Sequence, residues 1–201
     1  EPFSAADALN LKRVTGIEIS PDGASAAYTL SVPRAADEEA GAAWSELHVV
    51  STKTGESRGF LTGKVNTASP QWSPDGEFIA FTMARGKDSK TQVWLLPTRG
   101  GEAIQLTDSK TGVSSFRWDP AGKRIAYVAA TPMTAREKAL SEKGYGFTFY
   151  EENLKDRNLY VIDVSSAGTA GAPTQLTQNV SVWDFEWSHD GALIAAQVSP
   201  Q

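Results

Sequence analysis

The chain has 201 residues, no cysteine, 40% hydrophobic and 9% aromatic content, and a formal net charge of −5 with a pI near 5.1. That size suits one β-rich globular domain or a piece of a larger one, and the absence of cysteine removes any disulfide framework while leaving the redox compartment open. Lys and Arg are scattered, so the basic patch that draws in nucleic acid is missing, and no apolar run approaches the ~20 residues needed to cross a bilayer.

In chain order, Ser4-Ala5-Ala6-Asp7 has capping-box spacing, which predicts a short helix over residues 5–12, broken by Gly16. A strand over 17–20, the turn Pro21-Asp22-Gly23 and a second strand over 24–32 follow. Residues 33–43 are small and polar with acidic residues in the middle, a loop or short helical excursion, before strands over 46–51 and 57–62. The next stretch is the clearest: Ser73-Pro74-Asp75-Gly76 is a turn in which Pro74 presets φ, Asp75 bonds its own backbone and Gly76 takes positive φ. Strands are predicted around it over 69–72, 77–83, 92–96 and 102–106, then over 114–118, 123–130, 158–164 and 174–176, and finally over 182–187 and 192–198.

The turn returns as Ile19-Ser20-Pro21-Asp22-Gly23, Trp118-Asp119-Pro120-Ala121-Gly122 and Trp187-Ser188-His189-Asp190-Gly191, and two units close on Gln105-Leu106-Thr107 and Gln175-Leu176-Thr177. Trp72 and Trp118 are 46 residues apart (118 − 72) and Thr62 and Thr107 are 45 apart (107 − 62), near the span of a propeller blade of four strands, about 40–45 residues. Trp118 and Trp187 are 69 apart (187 − 118), so the third unit carries an insertion, residues 131–157. The expected fold is therefore an all-β propeller of four-stranded antiparallel blades: three complete blades plus half of a fourth, with a short N-terminal helix and one helical insertion. Residues 1–62 hold the helix and blade 1, residues 63–107 blade 2, residues 108–177 blade 3 with its insertion, and residues 178–201 the first half of blade 4. Such blades bury their faces only by stacking radially, so an unfinished ring implies a longer chain or partner chains. Both enlarged connections lie between second and third strands and open on the face opposite the Pro-Asp-Gly turns, where function is expected.

The repeat, as Trp72-Ser73-Pro74-Asp75-Gly76 with Ile79-Ala80-Phe81 and as Trp187-Ser188-His189-Asp190-Gly191 with Ile194-Ala195-Ala196, resembles the TolB-type propeller repeat. The helix leading through Leu11-Lys12-Arg13-Val14 into the first turn looks like the start of the propeller in serine peptidases of the prolyl oligopeptidase family. The insertion before Leu154-Lys155-Asp156-Arg157-Asn158-Leu159-Tyr160-Val161 is similar to the dipeptidyl-peptidase and acylaminoacyl-peptidase branch. The resemblance covers the non-catalytic half of such an enzyme. It implies a partner, the C-terminal α/β-hydrolase domain that carries the Ser, Asp and His, and short peptides as substrates.

The insertion begins with a second capping box, Thr134-Ala135-Arg136-Glu137, predicting a helix over 135–143 stopped by Gly144. Tyr145, Phe147, Phe149 and Tyr150 follow, then Glu151-Glu152. In dipeptidyl peptidases a carboxylate pair on a propeller insertion grips the substrate's free α-amine, a cation that needs an anionic partner in a dry cavity. The resemblance thus makes Glu151, Glu152, Tyr150 and Phe149 the candidate substrate-binding residues; the alternative is a solvated pair with the aromatics packed beneath it. Glu38-Glu39 in the first enlarged connection is a weaker candidate.

No catalytic residue is expected in this chain. The string Gly55-Glu56-Ser57-Arg58-Gly59 matches a nucleophile elbow in letters but opens a short strand, whereas an elbow runs from strand to helix. His48 lies in a strand pattern, and Ser188-His189-Asp190 are sequence neighbours that cannot form a relay. The tryptophans Trp72, Trp118 and Trp187 are read as packing between blades. No cofactor and no metal are expected, since no Cys, His or carboxylate cluster has ligand spacing. The expected function is gating and selection of short peptides for the hydrolase domain of a serine exopeptidase; the alternative is a non-enzymatic TolB-like periplasmic propeller that binds a protein partner. Glu1 in place of Met reads as a removed N-terminal segment, whether or not a signal peptidase removed it; the expected location is periplasmic or secreted with a cytoplasmic one still open, and a homodimer is an open option.

Overall fold

The computed structural model describes residues 4–86, 89–145 and 155–200. The chain divides into two compact units, Glu1–Thr107 and Asp108–Gln201.

The first unit opens with helix α1 (Ala5–Leu9) and carries two four-stranded antiparallel sheets. One is ordered β1 (Arg13–Ile19), β2 (Ser25–Val32), β3 (Trp44–Ser51), β4 (Ser57–Leu61); the other is β5 (Thr67–Trp72), β6 (Phe78–Met83), β7 (Gln92–Pro97), β8 (Ile104–Gln105). Alternation along β2 and β3 puts Ala27, Leu47 and Val49 on one face, which packs on Ile79, Phe81, Met83, Trp94 and Leu96 of the second sheet. Each large side chain so buried contributes about 1.5–3 kcal/mol. Trp72, at the end of β5, also donates its indole N–H to the Glu18 carbonyl on β1 at 3.1 Å, tying the two sheets.

The second unit has one four-stranded sheet, β9 (Val113–Trp118), β10 (Arg124–Ala130), β11 (Arg157–Asp163), β12 (Thr174–Gln175), with helix α2 (Ala135–Glu142) between β10 and β11. A two-stranded sheet, β13 (Val180–Trp187) and β14 (Ile194–Pro200), follows. Ala126, Val128 and Leu159 pack on Val182, Phe185 and Trp187. The Trp187 indole N–H reaches the Arg117 carbonyl on β9 at 3.3 Å, repeating the link made by Trp72.

The Pro-Asp-Gly turns share one hydrogen-bond pattern. Ser73 Oγ donates to Asp75 Oδ1 at 2.6 Å and accepts from the Phe78 amide at 2.9 Å, while Asp75 Oδ1 accepts from the Glu77 amide and Gly76 holds φ at +74°. Ser20–Asp22 and Ser188–Asp190 repeat it. In the third copy Asp119 stands at the serine position and itself accepts from the Lys123 and Arg124 amides.

The structure departs from the sequence expectations at particular residues. Helix α1 ends at Leu9, and Gly16 lies inside β1, where the ladder to β2 shifts register between Val14 and Gly16. Its missing Cβ is what lets the chain pass close to Thr29, since an added Cβ would lie 3.1 Å from Thr29 Oγ1. Strand β5 starts at Thr67 and is bulged between Ala68 and Gln71, with Ser69 at φ +52° before Pro70, which has no N–H to give the ladder. The fourth strands β8 and β12 are two residues each, because the closing threonines replace ladder bonds with side-chain ones. Thr107 Oγ1 accepts from the Val93 amide and donates to Gln92 Oε1, and Thr177 Oγ1 accepts from the Leu159 amide.

Candidate functional site

The insertion of the second unit leaves the sheet through a closed neck. The Thr131 amide donates to the Asp156 carbonyl at 2.7 Å, and Asn158 Nδ2 donates to Thr131 Oγ1 at 2.9 Å, so the outgoing and returning chains meet at the ends of β10 and β11. Beyond the neck, α2 is capped as its sequence predicts: Thr134 Oγ1 accepts from the Glu137 amide, and Glu137 Oε2 accepts from the Thr134 amide at 2.7 Å. The other Glu137 oxygen takes Lys155 Nζ, which ties the helix to the returning strand. Lys155, then the two Thr134 donors, hold the Glu137 carboxyl down at about 2. Gly144, at φ +84°, ends the helix, and no described side chain of α2 is buried. Among the described residues it is therefore an exposed arm, fixed by its cap and tied to the returning chain by the Glu137–Lys155 ion pair.

The candidates Phe149, Tyr150, Glu151 and Glu152 lie outside the described residues, as does Phe147. Tyr145 is exposed. Beside the neck the structure brings together a group that the sequence did not single out. The Arg157 guanidinium lies 5.2 Å from the exposed Trp183 ring and donates to Ser114 Oγ at 3.1 Å, while the Trp183 indole N–H donates to Ser199 Oγ. Nothing in the spacing of these residues marks them, because they come from four strands, β9, β11, β13 and β14, that only the pairing and stacking of two sheets bring together.

In the first unit Glu38 is already committed. One carboxylate oxygen accepts from the Trp44 indole and the Ala35 amide, and the other meets Lys64 Nζ at 2.8 Å. Lys64, then Trp44 and Ala35, hold that carboxyl at about 2. Arg34 lies flat on the other side of the indole, 4.0 Å from the Trp44 ring, and donates to the Ala42 and Glu39 carbonyls. The connection over 33–43 is thus folded onto Trp44, and Glu38 has little capacity left for a substrate amine.

Ser57 opens β4, with a strand and no helix after it, so the elbow-like string has no elbow geometry. Its hydroxyl shares a hydrogen bond with Tyr28 Oη at 2.7 Å, and His48, stacked on the Tyr28 ring, places Nε2 on Glu46 at 2.9 Å rather than on the serine. Burial works against ionisation of Glu46, yet the Gly63 amide and His48 together draw its carboxyl below the usual range. Among the described residues no group of three or more His, Asp or Glu is placed to hold a metal ion, and no helix is long and apolar enough to cross a membrane.

Two stacks of two antiparallel sheets, in each of which the tryptophan that ends the second sheet's first strand, Trp72 or Trp187, ties it to the first, are the local architecture of a β-propeller. Solved structures of that fold superpose on the chain. Acylaminoacyl peptidase of Pyrococcus horikoshii gives a TM-score of 0.64 at 14% identity over 89% of this chain and 27% of its own. The β-propeller domain of the trilobed protease of Pyrococcus furiosus gives 0.59 at 16% identity over 89% of this chain and 47% of its own. TolB of Acinetobacter baumannii gives 0.55 at 17% identity over 92% of this chain and 37% of its own. In sequence, an uncharacterized peptidase of Bacillus subtilis, YuxL, is 37% identical over 87 residues, which is 43% of this chain and 13% of that protein. No protein-family model matches the chain. The chain spans less than half the length of each of these proteins. At these identities the superpositions show a β-propeller fold, and the propellers concerned include those of two peptidases.

Proposed function

We propose that this chain is the propeller segment of a serine exopeptidase, in which it admits and selects short peptides for a C-terminal α/β-hydrolase domain. The observation that carries the reading is the necked, capped helical arm between β10 and β11, an elaboration that a plain scaffold does not need. Exposed apolar surface supports it: Val14, Ile17 and Ile19 on β1, Leu193 just before β14 and Val198 within it are exposed, surface of the kind further blades would cover. On this reading Glu151 and Glu152 hold the substrate's α-amine, with Phe149 and Tyr150 lining the neighbouring subsite.

A fluorophosphonate label on the full-length product tests the class. Modification of one serine outside these residues supports a serine hydrolase, whereas an unlabelled full-length protein removes the peptidase reading. The carboxylate pair has its own test. Replacing both Glu151 and Glu152 by Gln should raise KM for free-amine dipeptide substrates by ~10²-fold or more, through loss of charge-assisted hydrogen bonds; an unchanged KM returns the pair to solvent. The likeness to TolB supports a second reading, a non-enzymatic propeller that binds a protein partner, and the absence of labelling would favour it.

A further inference from the structure

A cleft of about 560 Å³ runs between the two sheets of the first unit, within the usual size of a small-ligand site. Phe60, Leu61, Met83 and Leu96 line its apolar floor and Trp44 forms one wall. Two cations stand at its mouth, and their situations differ. Lys64 is committed to Glu38 at 2.8 Å. Arg85, in the connection that follows β6, lies 5.8 Å from the Trp94 ring and has no carboxylate within ion-pair distance among the described residues. Glu102 also lines the cleft, but it lies between β7 and β8; because β6 and β7 are antiparallel, that places it at the end away from Arg85.

An apolar trough with a guanidinium at one end that meets no carboxylate among the described residues, and a carboxylate at the other, fits one chemistry, an elongated apolar ligand with a single terminal anion. Guanidinium forms its strongest hydrogen bonds with carboxylate. A second acidic group further along would meet Glu102 and be rejected. We propose that the cleft is an accessory site for the C-terminal end of a short apolar peptide, with its side chains on the Phe60–Met83–Leu96 floor and its α-carboxylate on Arg85. The choice of a peptide as ligand rests on the peptidase reading; the demand for an apolar carboxylate does not.

The test uses the full-length protein and two probes, N-acetyl-Ala-Leu-Phe and its C-terminal amide, titrated by calorimetry against wild type, Arg85→Ala, Arg85→Lys and Ala103→Trp. Wild type should bind the acid on the order of tenfold more tightly than the amide, the loss of one charge-assisted contact. Arg85→Ala should abolish that preference, Arg85→Lys should keep part of it, and Ala103→Trp, which fills the cleft, should weaken both probes. Equal binding of acid and amide by wild type, or a preference that survives in Arg85→Ala, overturns the proposal. Peptide turnover is followed in the same preparations. Turnover without an Arg85-dependent preference sinks the cleft alone, and an Arg85-dependent preference without turnover sinks the peptidase reading alone.

Discussion

Thr107 shows how much one hydroxyl can do in a sheet of this kind. It is 2% exposed, accepts from the Val93 amide and donates to Gln92, standing in for ladder bonds that β8 is too short to make. Thr107→Val keeps the shape and removes both bonds, leaving the Val93 amide buried without its acceptor. The expected loss is about 1–3 kcal/mol of unfolding free energy, measured by urea denaturation. Glu38 supports a prediction in pH. Its carboxyl is held at about 2 against an ordinary 4.5, so the stabilisation is fully present above 4.5 and disappears as the pH falls toward 2. Glu38→Gln should therefore be less stable than wild type at neutral pH, and the two should converge on acidification through that window. Urea midpoints that stay apart at the acid end would show that Glu38 acts through something other than its charge.

Among elements, the third turn is the one whose role could not be read from its letters. Where the other turns use serine, Asp119 sits 2% exposed and pairs with Arg124 at 3.1 Å; Arg124 in turn donates to the Gly191 carbonyl at 2.6 Å and stacks 4.7 Å from the Trp187 ring. One side chain thus ties β10 to the turn between β13 and β14. Arg124→Met should keep the stem's packing but leave buried Asp119 with only its two amide donors and no cation, at a cost of about 1–3 kcal/mol given that partly exposed Arg124 is screened by water. Hydrogen exchange should show the loss concentrated in β13 and β14, and uniform exchange across the second unit would refute this clip. The turns themselves were legible because Pro, Asp and Gly act locally, and the cap of α2 was legible because Thr134 and Glu137 are three residues apart. The bulge at Ser69, the two-residue strands β8 and β12, and the meeting of Arg157 with Trp183 were not legible. Each is decided by which strand lies alongside, and partners 26 residues apart (183 − 157) leave no periodic trace.

For the whole molecule, the repeat spacing made the four-stranded antiparallel sheets and their stacking readable, because a blade recurs at a fixed length wherever its turns recur. The candidate residues Phe149, Tyr150, Glu151 and Glu152 came from resemblance and not from periodicity, since a loop residue carries no folding signal, and they lie outside the described residues. The exposed Val14, Ile17 and Ile19 on β1 support one more expectation. The 201-residue chain in isolation should self-associate at micromolar concentration, and Ile17→Lys with Ile19→Lys should return it toward monomer in sedimentation velocity. A monomeric wild-type chain would mean that this surface needs no cover.

The meeting of Thr131 with Asp156 has a consequence for how such proteins diversify. The excursion departs and rejoins where Thr131 meets Asp156 and Asn158, and among the described residues none of α2 is buried, so the sheet's ladder is closed off from the helix outboard of it. Lengthening, trimming or replacing the appendage alters what the rim can grasp while the strands beneath keep their register. Novel specificity could then arise by grafting at one junction, with no renegotiation of the core.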